Sequence, residues 1–202
     1  MKFIRSPIAG PVRGPHLLAV VGVLLWSLAA CDDDPFAVTW VANEGTALIY
    51  SLDRPEVGLA SAFDFIGRRE VVVESPGTTG TWDMALDEVG GELSFVTPNV
   101  LGIESDAGIA AFPDLTLDEL TEAPADSAAY SVLDPVPVEV GTVYVIRTRE
   151  ARGRFSQLCL FYGKFEVTAV EPSTGSVQFV FDLNPDCDDR TLVPDQQPES
   201  DS

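Results

Sequence analysis

The residues of this 202-residue chain with chemistry to offer are few: three cysteines (Cys31, Cys159 and Cys187), one histidine (His16), a single lysine beyond the first two residues (Lys164), and acids in abundance. Nucleophilic relays that pair a serine or cysteine with an imidazole need a histidine base, and none follows His16. A pair of carboxylates can work as acid and base without one, but 32 acidic residues make chance pairs certain and single out none. The expectation is a protein that is not an enzyme. Asp182-Leu183-Asn184-Pro185-Asp186-Cys187-Asp188-Asp189 sets oxygen donors at a spacing of two, as calcium loops begin. Cys187 stands where such a loop needs glycine and Val193 where it needs a bidentate glutamate, so a solvated acidic loop is expected rather than a metal site. Arg147, Arg149, Arg152 and Arg154 put four cations close together, which suits an anion or acidic partner, or a charged hairpin tip that blocks edge pairing.

The segment before Cys31 sets that residue's context. Lys2, Arg5 and Arg13 make a basic start, residues 17–28 an apolar run, and Leu28-Ala29-Ala30 leads directly into Cys31. The run is shorter than the roughly 20 residues a membrane-spanning helix needs, which favours a cleaved signal over a permanent span. Leu28-Ala29-Ala30-Cys31 resembles the lipobox of bacterial lipoprotein precursors. The resemblance implies a diacylglycerol thioether on Cys31, removal of residues 1–30 as a signal peptide, and acylation of the new amino terminus with palmitate or a similar chain. Several chains on one residue anchor firmly, because each buried methylene contributes about 0.8 kcal/mol and one chain alone is marginal. The protein is then expected in the cell envelope, lipid-anchored to a bacterial membrane, with its domain outside the cytoplasm. Residues 31–202 hold nine basic and all 32 acidic residues, a formal charge of −23, so nucleic acid is not an expected partner.

The rest of the chain reads as all-β, an antiparallel sandwich or open barrel with one short helix. The expected organisation is an acidic tether at 31–38, a single β domain at 39–193 and a disordered tail at 194–202. Pro172-Ser173-Thr174-Gly175 has turn chemistry, flanked by alternating Phe161, Phe165, Val167 and Ala169 on one side and Val177, Phe179, Phe181 and Leu183 on the other. If Val170 faces Ser176, the same register sets Phe165 opposite Phe181, Lys164 opposite Asp182 as an ion pair, and Cys159 opposite Cys187. Directly opposed residues lie within disulfide range, and an exported compartment lets the pair oxidise. Thr142-Val143-Tyr144-Val145-Ile146-Arg147-Thr148-Arg149 adds a third strand through a turn at Glu150-Ala151-Arg152-Gly153, with Arg149 facing Arg154, to give a C-terminal three-strand meander. Earlier strands are expected at residues 47–52, 70–74 and 81–87, with Trp82, Met84 and Leu86 alternating against Asp83 and Asp87, and Gly90-Gly91 turning into Leu93-Ser94-Phe95-Val96. Thr116 and Glu119 make a capping box for a helix at 116–122 that Pro124 stops, and residues 98–137 otherwise read as a loop wrapping the sheet or forming a binding edge. Trp40, Trp82 and Phe95 suit the core or an apolar ligand pocket.

Trp82-Asp83-Met84-Ala85-Leu86, Gly90-Gly91, Val143-Tyr144-Val145-Ile146-Arg147-Thr148, Gly163-Lys164-Phe165-Glu166-Val167 and Gly175-Ser176-Val177-Gln178-Phe179 are similar, in order, to strand motifs of HmuY-like haem-binding lipoproteins. The resemblance implies an anchored, mostly β protein. Its paired haem-ligating histidines have no counterpart here, since His16 lies in the signal segment; Met84 offers one thioether, and Tyr50, Tyr130, Tyr144 and Tyr162 are the remaining oxygen ligands for iron. No cofactor or catalytic residue is expected. The functional expectation is a binding or interaction module meeting an envelope protein or a small apolar ligand; the alternatives are a structural envelope component with no small ligand, and HmuY-like haem or calcium binding.

Overall fold

The computed structural model describes residues 39–195; the lipobox with Cys31, the acidic tether and the chain from residue 196 onward lie outside the described residues. Among the described residues the alternating stretches become twelve strands: β1 (Gly45–Tyr50), β2 (Ala62–Asp64), β3 (Arg69–Val71), β4 (Met84–Val89), β5 (Glu92–Val96), β6 (Gly108–Phe112), β7 (Val136–Pro137), β8 (Val143–Arg147), β9 (Ala151–Arg152), β10 (Leu158–Cys159), β11 (Tyr162–Glu171) and β12 (Ser176–Leu183). One five-stranded sheet runs β1-β12-β11-β8-β6 and the other β3-β2-β4-β5-β7, while β9 and β10 form a separate hairpin. Every pairing is antiparallel and neither sheet closes on itself, so the architecture is an all-β sandwich rather than a barrel.

Period-two alternation supplies the core. Ala47, Ile49, Tyr144, Ile146, Phe165, Val167, Phe179 and Phe181 point inward from the first sheet, and Phe63, Met84, Leu86 and Phe95 meet them from the second. The rings interlock: Phe95 stands edge-on to Tyr144 and Phe165, and Phe63 edge-on to Phe179 and Phe181. Each such side chain contributes about 1.5–3 kcal/mol by leaving water. Both outer faces are also covered. Leu120, Ala123, Tyr130 and Leu192 pack on Val143 and Val145 outside the first sheet, and Trp82 packs with Val71, Ala85 and Val96 outside the second.

Several sequence expectations need correction. The expected β11–β12 register holds from Gly163↔Leu183 to Val167↔Phe179, but a bulge at Thr168 moves the turn-proximal pairs to Val170↔Val177 and Glu171↔Ser176. The bulge adds one residue to β11, so Ala169 is exposed and Val170 packs on the core instead. The four-residue connection needs Gly175 at φ 59. Lys164 does face Asp182 in the ladder, yet no ion pair forms: its Nζ donates to the carbonyls of Leu117 and Leu120, and Asp182 is taken by Arg68. The turn expected at 150–153 lies at 153–157, where Ser156 takes φ 64 and Gly153 N–H donates to the Gln157 carbonyl, so Arg149 does not face Arg154. Tyr162 pairs with Arg147 and Phe165 with Tyr144; the displacement is an even number of residues, which keeps Tyr144, Ile146, Cys159 and Phe161 on the inner face as expected.

The expected helix at 116–122 is one turn with a single Leu120 N–H to Thr116 carbonyl bond. Its capping contacts between Thr116 and Glu119 form, but the chain then extends so that Glu122 bridges Thr191, and Lys164 takes the orphan carbonyls. The segment 98–137 wraps the outer face as foreseen and also contains strands β6 and β7 that the reading as loop missed. The strand expected at 81–87 starts only at Met84, and Asp83 is fully buried rather than solvent-facing. Strand β3 ends at Val71 rather than running on to residue 74. Asp195, assigned to the tail, is hydrogen-bonded to Trp40 through both its carboxylate and its N–H.

The disulfide between Cys159 and Cys187 is formed, with Cα atoms 5.1 Å apart. It sits beyond the β11–β12 ladder, where Leu160 and Asp188 exchange hydrogen bonds. Gly153 lies against it, and a Cβ there would come within 2.5 Å of Cys159 Sγ and 2.8 Å of Gln157 Nε2. The crosslinked sulfur cannot swing aside, so Gly153→Ala is expected to destabilise by about 1–3 kcal/mol. Denaturant midpoints at unchanged slope measure it, and an unshifted midpoint would contradict the packing argument.

Candidate functional site

Antiparallel pairing gathers the ends of β2, β8 and β12 and the beginnings of β1, β4 and β11 at one end of the sandwich. Four charged residues meet there, Arg149, Asp83, Asp64 and Arg69. Arg149, just past β8, places Nη1 2.9 Å from Asp83 Oδ1 and Nη2 3.0 Å from Asp64 Oδ1. Asp83 Oδ1 also accepts the Arg149 N–H and its Oδ2 the Phe65 N–H, while Asp64 accepts the Gly67 N–H and Arg69 Nε. Gly67 is glycine for a reason of space, since a Cβ would stand 2.4 Å from Asp64 Oδ2. Burial pushes the Asp83 carboxyl above its ordinary value against the pull of Arg149 and the two N–H donors. Burial also works against the Arg149 cation, but Asp83 and Asp64 outweigh it and hold its pKa up. Every carboxylate oxygen is engaged by a guanidinium or an amide, so the group ties the two sheets together and offers no free base.

Beside this clamp a cleft of about 420 Å³ is lined by Trp40, Ile66, Phe161, Leu183 and Pro185, with Arg68 at its wall. Arg68 takes φ 51 in the β2–β3 turn, uncommon for a residue with a Cβ. That conformation lays its guanidinium 4.8 Å over the Phe181 ring, 3.3 Å from Asp182 and against the Asn43 carbonyl. Asp182 further accepts the N–H groups of Asn43 and Leu183. Arg68, Asp182 and Asn43 thus satisfy one another, while the buried indole Nε1 of Trp40 has no hydrogen-bond partner among the described residues. A second cleft, of about 390 Å³, lies at the opposite end between the chain after β1 and the β11–β12 turn and includes Tyr50 and Arg54. Between the sheets themselves the aromatic core is closed.

The four arginines that the sequence brings together separate in space. Arg147 stacks 4.9 Å over Tyr130 and donates to the Asp106 carbonyl, Arg149 enters the clamp, and only Arg152 and Arg154 remain at the exposed tip of the β9–β10 hairpin. The acidic loop turns inward on itself: Asn184 bonds Asp189 and the Thr191 carbonyl, Asp189 caps Thr191, and Asp188 caps Leu160. Those hydrogen bonds from Thr191 hold Asp189 below its usual range. Among the described residues no three histidine, cysteine or acidic side chains are placed to hold a metal ion.

The four tyrosines do not converge on a ligand. Tyr144 is in the core, with its hydroxyl donating to the Pro137 carbonyl, and Tyr130 donates to the Pro124 carbonyl on the outer face; burial pushes both phenols up, away from the phenolate that would bind iron. Tyr162 lies 6.5 Å from Tyr130 ring to ring, and Tyr50 lines the distant cleft. Met84, Phe95 and Trp82 are core residues, and Trp40, also buried, has its edge in the lining of the cleft. The clamp itself was missed. Its signal is an acid inside an apolar run, Phe63-Asp64-Phe65 and Trp82-Asp83-Met84, where a buried carboxylate must find a cation. No protein-family profile matches the chain, and no curated protein matches it in sequence.

Proposed function

We propose that this chain is a membrane-anchored envelope lipoprotein whose β domain is a binding or interaction module outside the cytoplasm and catalyses no reaction. The anchor rests on Leu28-Ala29-Ala30-Cys31 following a basic start and an apolar run, and the Cys159–Cys187 disulfide agrees with an oxidising compartment. The observation that carries the interaction half is the filled interior. With Phe63, Phe65, Phe95, Phe165 and Phe179 packed between the sheets, a ligand is met at the surface, either in the cleft beside Arg68 or on a broader face. That same filled core favours, as the second reading, a structural envelope component with no small ligand.

The anchor has a direct test. Cys31→Ala is expected to abolish palmitate incorporation and leave an unprocessed or mislocalised precursor, and equal labelling of variant and parent chain would end the proposal. Native mass spectrometry of the protein from its own envelope separates the two readings: a small bound mass supports the ligand module, and a stoichiometric protein partner without one supports the structural component.

A further inference from the structure

We propose that the β9–β10 hairpin tip is a second, protein-borne contact with the membrane, docking on anionic phospholipid headgroups and setting the domain with this end toward the bilayer. The inference rests on the lipid anchor at Cys31 and adds an orientation to it. Four exposed side chains make the tip: Arg152, Arg154, Phe155 at 63% exposure and Leu158 at 61%. Arginines beside an aromatic and a leucine are the mixture that settles at a bilayer interface, where the apolar groups enter the acyl boundary and the guanidinium groups stay among phosphates. Arg154 lies over the Phe155 ring at 6.0 Å and Arg152 donates to the Ser156 carbonyl; like Arg147 and Lys164, neither makes a direct ion pair among the described residues. The disulfide at Cys159 and the Gly153 N–H to Gln157 carbonyl bond hold the tip in shape.

Chain geometry points the same way. The described chain begins at Thr39, which lines the cleft with Phe161 and Pro185, next to the disulfide that carries the hairpin. Cys31 is eight residues upstream and, however those residues run, they reach at most about 28 Å. The opposite end of the sandwich lies the length of the ten-residue strand β11 away, roughly 30 Å. Turning that end to the membrane would need the tether drawn out along the whole domain.

The test uses the full lipidated chain in vesicles of phosphatidylethanolamine and phosphatidylglycerol. Phe155→Trp reports from the tip and Val140→Trp, at an exposed position of the opposite end, is its control; the parent spectrum is subtracted for Trp40 and Trp82. Flotation with the vesicles reads the anchor, and quenching by bromine-labelled acyl chains reads the tip. The expected result is a blue-shifted, quenched signal for Phe155→Trp, none for Val140→Trp, and loss of the quenching when Arg152→Glu and Arg154→Glu are added, with flotation unchanged. A floating chain whose Phe155→Trp signal is unquenched overturns the proposal while leaving the anchor intact, as does quenching from Val140→Trp or quenching indifferent to the two glutamates. A chain that does not float overturns the anchor and the orientation with it.

Discussion

Arg149→Met should destabilise the domain by about 3–5 kcal/mol, the usual cost of removing one partner from a buried ion pair. The size follows from what is left behind. Asp83 is fully buried and Asp64 nearly so, both facing Arg149 between the two sheets, and among the described residues no other cation contacts Asp83. Methionine fills similar volume, so packing loss is small and the effect reports on charge. The pH dependence distinguishes this from a cavity effect. Burial already raises the Asp83 pKa in the parent, so its contribution to stability is fully present below the ordinary aspartate range and is lost as pH rises through the raised value. Without Arg149 the pull in the opposite direction is gone and that loss extends to higher pH. The deficit of Arg149→Met should therefore be largest near neutral pH and shrink on acidification, when Asp83 takes up a proton and needs no counter-ion. Asp83→Asn in the Arg149→Met background should recover part of the loss at neutral pH. A deficit below about 1 kcal/mol, or one independent of pH, would show the clamp to be an exposed-type pair of little consequence.

Much of the C-terminal half was legible because its signals are local. Period-two alternation from Phe161 to Leu183 sets faces, and faces survive a displaced register when the displacement is even, which is why Tyr144 and Ile146 sit where expected although their cross-strand partners differ. The bulge at Thr168 left no signal, since an extra residue between Val167 and Val170 changes only which neighbour is exposed. The helix at 116–122 failed for a tertiary reason: its capping contacts are real, but seven residues gain too little from helix propagation to resist pairing with the chain at 190–192. The clamp is legible only as a demand. Asp64 and Asp83 in apolar surroundings require a cation, yet Arg149 lies 85 and 66 residues away, and nothing local selects it over the arginines at 147, 152 and 154. Reading those four as one basic patch was the natural inference from spacing; alternate strand faces and the departure of Arg149 from the sheet at the end of β8 break it apart.

Reduction of Cys159–Cys187, or Cys159→Ser with Cys187→Ser, should lower stability without changing the fold at room temperature. The crosslink closes a loop with a sequence separation of 28, for which the chain-entropy ceiling is about 3–4 kcal/mol. The measured loss should fall below that ceiling, because β11 and β12 form a hairpin within the loop and residual pairing in the unfolded chain already restricts it. Where the loss is felt locally is more telling. The β9–β10 ladder consists of two residue pairs, too few to stand alone, whereas the β11–β12 ladder runs from Gly163 to Glu171 with β1 and β8 on its flanks. Hydrogen exchange should accelerate at the Gly153 and Ser156 amides on reduction, while the amides of β11 and β12 open only with the whole domain. Uniform acceleration across both ladders would mean that the disulfide holds the sandwich together rather than the hairpin. Two free thiols in the protein from its own envelope would remove the crosslink, and with it the rigid tip that the membrane contact requires.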